Sequence, residues 1–334
     1  MNRDTNIDML RGAVMLYIVF AIHSLCWTHL IDVNSLAFSL MLIEMPVIFY
    51  ISGASLTLSK PKSISGFIKS RLTRVVLPYL VWSVITLAIA VFAFDGDCLE
   101  QAKLILLCQE GIIVPLASCH IWFVYPYLII SLLGYYLYKA YKKHSFKFVL
   151  TYTAVIALAL IVLDKCLHLE YQLLRDVMVY SIFYVYGFTY KKSVPARYEI
   201  SALILLAIIY LTLVVLNIYP FSTQLNKFPP NFEYLCFGGI VVLALSLIVN
   251  RIQIPECKVL SFSNKYGYEM YLYQSYAIWL FSYLDSIYFC EYNFCLRYLL
   301  CLVIVSAVLF PVSLLMGEFD RKITNVIQKN RAAQ

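Results

Sequence analysis

Apolar runs of about twenty residues recur along almost the whole 334-residue chain, and that is the length one helical crossing of a hydrocarbon core of about 30 Å requires. Such runs leave little freedom of fold. Inside lipid every backbone N–H and C=O must find its partner within the segment, so each run is predicted to be a helix. About ten spans are predicted, at residues 10–27, 36–58, 75–94, 120–138, 148–163, 177–190, 202–218, 232–249, 266–284 and 298–316. The expected fold is an all-α polytopic membrane bundle. Composition agrees: 62% of residues are apolar and 13% charged, and the 28 tyrosines gather near the ends of the runs, where amphipathic rings sit at headgroup level.

The charged residues then orient the bundle. With a cytoplasmic amino terminus, all but five of the 26 lysines and arginines fall in inner loops. The exceptions are Lys103, Lys165, Arg175, Lys227 and Arg297. This asymmetry predicts that both termini lie in the cytoplasm. The net charge of +7 is thus accounted for by loop placement and calls for no nucleic-acid partner.

No stretch reads as a linker, a repeat of fixed period or a soluble domain, so residues 1–334 are expected to form one membrane domain. The first apolar run is followed by no small-residue cleavage site and is expected to stay as a helix. Six of the ten cysteines, Cys98, Cys108, Cys119, Cys166, Cys290 and Cys295, fall on the expected outer side. Disulfides and free thiols are both open there. No His/Cys spacing fits a metal site.

Polar side chains within the runs stand out because each is costly in hydrocarbon. His23 follows Arg11 by twelve positions, about 18 Å along a helix. Twelve steps of about 100° would leave the two side chains roughly 120° apart on a straight helix. A π-bulge between Gly12 and Ile22, or an Arg11 on a non-helical lead-in, would absorb the extra residue. Glu44 stands before Met45-Pro46, where a carboxylate needs a partner or a proton. His120 opens the sequence His120-Ile-Trp-Phe123, which by itself fits aromatic-belt anchoring. Arg71 and Arg74 close the most basic inner loop. Glu269 and Gln274 are five residues apart in the ninth run and either line one cavity or hydrogen-bond between helices. Ser52-Gly53 fits close helix packing. Residues 95–118 are too interrupted to span and are expected at the outer surface or as a re-entrant segment.

Together these segments resemble the acyltransferase-3 family of integral-membrane acyltransferases over most of the chain. Asp8-Met-Leu-Arg11-Gly12 with His23-Ser24 resembles the family's opening motif, though eleven residues intervene between Arg11 and His23 where ten are usual. Met45-Pro-Val-Ile-Phe-Tyr-Ile-Ser-Gly53 is similar to a run of the small polysaccharide O-acetylase branch, in which a histidine often stands at the position of Glu44. His120-Ile-Trp-Phe123 is similar to the family's His-Leu-Trp-Phe signature. In the late element around Gly267 and Tyr271, Gln274 replaces a common histidine.

The resemblance implies an O-acyltransferase of the bacterial inner membrane, moving an acetyl or succinyl group from acyl-CoA to a hydroxyl of a surface or secreted glycan or a lipid-linked sugar. It implies that His23 is the catalytic base or acyl carrier, with Glu44 or His120 orienting it. Arg11, Arg71 and Arg74 would contact the phosphates of acetyl-CoA, as guanidinium forks suit. Trp122 would supply an apolar or sugar-stacking wall. The rival expectation is a transporter or flippase of a lipid-linked sugar, which commonly shows internal repeats and paired broken helices.

Overall fold

The computed structural model describes residues 4–61, 63–167, 169–192 and 194–332. Of the basic residues expected inside, Arg3 and Lys62 lie outside the described residues, as do the side chains of Lys329 and Arg331. In chain order, helix α1 (Thr5–Leu16) runs through a π-helical stretch (Tyr17–His23) into α2 (Ser24–Trp27). Then follow α3 (Leu36–Met41), α4 (Glu44–Ser59) and α5 (Ile64–Arg71), a π stretch (Leu72–Val76), and α6 (Leu77–Phe94) and α7 (Cys98–Leu106). A 3₁₀ turn (Ile121–Phe123) leads into α8 (Val124–Val162), followed by α9 (Gln172–Tyr186), α10 (Ala196–Val215), α11 (Thr223–Lys227), α12 (Phe232–Val249), α13 (Lys258–Leu284) and α14 (Phe294–Ala332). Among the described residues there is no β-strand.

Local chemistry explains many of the ends. Ser35, Asp97, Ser222 and Asn231 cap α3, α7, α11 and α12, each accepting from the N–H three residues on. Lys60 and Asp95 end α4 and α6 in the left-handed conformation. Pro78 sits in the first turn of α6, where its missing N–H costs nothing.

Seven helical stretches among the described residues are long and apolar enough to cross a membrane. One of them, Ile121–Leu167, has 47 residues, far more than one crossing uses. Ser145 breaks it with φ 54° and ψ −138°, dividing it between the two spans predicted at 120–138 and 148–163. The runs predicted at 177–190 and 266–284 lie largely on α9 and α13. At 15 residues α9 is about 22 Å long, and the polar, Tyr-rich sequence of α13 keeps that helix out of the seven. Residues 95–118 form a surface element in place of a span. Its helix α7 is nine residues long, carries Asp97 and Glu100 at its start and packs on α6.

The chain divides into two compact units interleaved in sequence. The first comprises the described residues of Met1–Val14, Asp32–Phe67 and Pro126–Leu260. Its centre is α4, buried on nearly every side and packed against α9 and α12. Gly53 makes that packing possible: a Cβ there would lie 1.9 Å from the Tyr184 carbonyl oxygen, and one on Gly187 would lie 2.2 Å from that of Tyr50. The small-residue reading of Gly53 is therefore the structural one. By contrast α10 turns Ile204, Leu205, Ile208 and Leu211 outward, each more than half exposed, which suits a helix whose solvent is lipid.

The second unit comprises Met15–Ile31, Ile68–Tyr125 and the described residues of Ser261–Gln334. It holds α6, α7, α13 and α14 together with the π stretch and α2. Cys301, Val305, Leu309 and Ser313, at steps of four along α14, are fully buried and mark the face of that helix turned inward.

Candidate functional site

His23 ends the π-helical stretch, in which the Ser24 N–H reaches back to the Val19 carbonyl in the i→i+5 pattern. The predicted bulge is thus present and takes up the extra residue between Arg11 and His23. Arg11 lies inside α1, so the alternative of a non-helical lead-in does not hold. Gly12 beside it permits a close approach, since a Cβ there would meet the Leu260 carbonyl oxygen at 2.1 Å.

In the second unit the bulge presents the His23 imidazole to α13. Its Nδ1 lies 2.8 Å from Oε1 of Gln274, and its ring stacks on Trp27, one turn on, at 4.2 Å between centroids and 10° between planes. The other face of the cluster is His120, fully buried at the entry to the 3₁₀ turn. His120 Nε2 donates to the Leu272 carbonyl at 3.3 Å, and the Tyr271 hydroxyl donates to the His120 carbonyl. Trp27 lies 5.6 Å from the His120 ring and Tyr271 lies 5.0 Å from it. Tyr271 is 6.3 Å from the His23 ring. Two imidazoles predicted from separate segments are therefore brought to one aromatic cluster, through Trp27 and residues 271–274 of α13. Among the described residues Nδ1 of His120 has no hydrogen-bond partner, although the residue is wholly buried. Trp122 packs edge-on against Phe123.

Glu44 has a different partner from the one the sequence suggested. It opens α4 in the first unit, 1% exposed, and its Oε1 pairs with Nζ of Lys227 at the end of α11. Lys227 is itself only 4% exposed. The same pattern explains most of the cations expected on the outer side. Arg175 pairs with Asp164, and Arg297 with Asp285 at 2.9 and 2.5 Å. Lys165 lies over the Tyr219 ring at 4.7 Å.

The arginines are distributed between the units. Arg11 donates to the Ser55 hydroxyl and pairs with Asp8 at 3.5 Å in the first unit. Arg71 and Arg74 flank the start of the π stretch in the second, Arg71 half-buried and Arg74 exposed. Ser52 donates to the Tyr127 hydroxyl at 3.4 Å. No disulfide joins cysteines among the described residues; of the six expected outside, Cys108 is half-buried and the rest are exposed.

Sequence reasoning gave no role to Lys227, seen only as an outer cation, or to Trp27. It marked Gln274 as an intramembrane amide that lines a cavity or hydrogen-bonds between helices, and as a replacement for a common histidine, without naming His23 as its partner. The signal for Gln274 was an amide inside an apolar run; its partner lies 251 residues away and could not be read from spacing.

An all-α chain with several lipid-length helices is a multi-pass membrane protein, and here its apolar helices also carry a cluster of two imidazoles and an amide. The chain belongs to the acyltransferase-3 family: the model of that family's acyltransferase domain matches residues 4–317, nearly its whole length, which makes the protein a membrane acyltransferase. Comparison with curated proteins and with solved structures gives no match.

Proposed function

We propose that this acyltransferase takes an acetyl group from acetyl-CoA on the cytoplasmic side of a bacterial inner membrane and places it on a hydroxyl of a surface or secreted glycan or its lipid-linked precursor. The observation that carries the reading is the His23–Gln274 contact at 2.8 Å, which fixes one imidazole nitrogen by an uncharged partner within a largely buried cluster. A histidine so placed is suited to take the proton of an acceptor hydroxyl near neutral pH. His120, whose Nδ1 is an acceptor held within the same aromatic cluster, is the second proton-handling candidate. The exposed guanidinium of Arg74 and the half-buried one of Arg71 fit the donor's phosphates, and Arg11 is the third donor candidate. Glu44 is assigned to holding the first unit together through Lys227.

The test is acyl transfer from radiolabelled acetyl-CoA to a glycolipid fraction by the full chain in lipid nanodiscs. His23→Ala is expected to lower transfer about 100-fold or more while donor binding survives. Arg71→Ala with Arg74→Ala is expected to weaken donor binding. Full transfer by the His23 variant would overturn the assignment.

A further inference from the structure

Gln274 is fully buried, and both ends of its amide are committed. Its Nε2 donates to the Tyr271 carbonyl, one turn earlier on α13, at 2.9 Å. That bond turns Oε1 toward His23, 2.8 Å from Nδ1. An amide oxygen only accepts, so the proton between them belongs to Nδ1, and the lone pair of the neutral ring falls on Nε2. At His120 the opposite holds: Nε2 faces a backbone carbonyl, so Nε2 carries the proton and Nδ1 the lone pair. One segment of α13, residues 271–274, thus sets both rings, in opposite tautomers. Tyr271 and, across Trp27, His120 are titratable groups with ring contacts here.

We propose that Gln274 is a positioning residue that locks His23 in its Nδ1–H tautomer without adding charge, so that the base acts through Nε2 from a neutral resting state. This rests on the reading of His23 as the base. A carboxylate in the same place would hold Nδ1–H equally well but would favour the imidazolium and raise the pH at which the ring deprotonates. A histidine there could present either a donor or an acceptor and would leave the tautomer open. An amide anchored by a backbone carbonyl turns only an acceptor to the ring and so bonds only the Nδ1–H tautomer through that nitrogen.

The experiment is ¹⁵N NMR of histidine-labelled full-length protein in nanodiscs at neutral pH, with the His23 resonances assigned by their loss in His23→Ala. The expected result is a pyrrole-type Nδ1 and a pyridine-type Nε2. Gln274→Glu should keep the Nδ1 proton and raise the titration midpoint of His23 by about one pH unit or more. Gln274→Met should give mixed tautomers. A pyridine-type Nδ1 of His23 in the unaltered protein would overturn the proposal, as would an unmoved midpoint in folded Gln274→Glu. These readouts are independent of transfer: an active His23→Ala defeats the proposed base while leaving the tautomer result standing, and the reverse outcome defeats only Gln274.

Discussion

Replacing Lys227 with Met should destabilise the protein more than replacing Glu44 with Gln, and the two together should cost less than Lys227→Met alone. Lys227 and Glu44 are 4% and 1% exposed, so neither charge can turn to solvent when the other is removed. Taking away the cation strands Glu44, whose Oε2 already has no partner among the described residues. It also strips a nearby counter-charge from the buried Asp176. Breaking a buried pair in this way costs about 3–5 kcal/mol. Glu44→Gln leaves Lys227 with Asp176 still in range and an amide able to accept its hydrogen bond, a loss of about 1–3 kcal/mol. The double variant places an amide beside a thioether, with no ion pair left to break, and should return to within roughly 2 kcal/mol of the parent. The assay is thermal unfolding in detergent micelles at fixed pH, ranking the transition midpoints of the four proteins. A Lys227→Met midpoint equal to the parent's would refute the argument. So would a larger loss from Glu44→Gln than from Lys227→Met. The double variant also separates the two roles considered for Glu44, because retained acyl transfer in a stable protein assigns it to the fold.

At the amino terminus, burial pushes the Asp4 carboxyl up, but the hydrogen bonds from Lys191 and the Ile7 N–H, with the Lys191 charge, outweigh it and hold the group below its usual value. The stability this adds is present above the unfolded carboxylate range near pH 4 and is lost as pH falls through the lower folded value. Because Lys191 is 56% exposed the effect is small, under about 1 kcal/mol, and Asp4→Asn should show it at pH 7 and lose it in acid denaturation profiles near pH 2. Orientation is tested by thiol labelling. Cys257 is exposed just ahead of α13, and the N–H groups of Leu260 and Val259 hold its thiol below the usual value. An impermeant maleimide should label it rapidly in inside-out vesicles and spare it in intact cells, whereas exposed Cys98 and Cys290 should show the reverse. Labelling of Cys257 from outside would invert the assigned topology.

The sequence alone determined that this chain is a bundle of membrane helices, because lipid-length apolar runs admit no other backbone solution and their signal is local and additive. It also marked His23, Glu44, His120 and Gln274 as costly side chains, and the need for either a bulge before His23 or a non-helical lead-in at Arg11, which follows from helix geometry over a dozen residues; only the structure chose the bulge. The separation of the spans at 120–138 and 148–163 was legible too, from Lys139, Lys142, Lys143 and Lys147 between them, but the break at Ser145 itself carries no Pro or Gly to announce it. Partners were least legible. Glu44 or His120 was expected to orient His23; the structure pairs Glu44 with Lys227, 183 positions away, and sets Gln274 beside His23. Those choices belong to tertiary structure, because in a low-dielectric interior each buried polar group must be satisfied by whichever complementary group packing delivers, and packing is decided by the faces of whole helices.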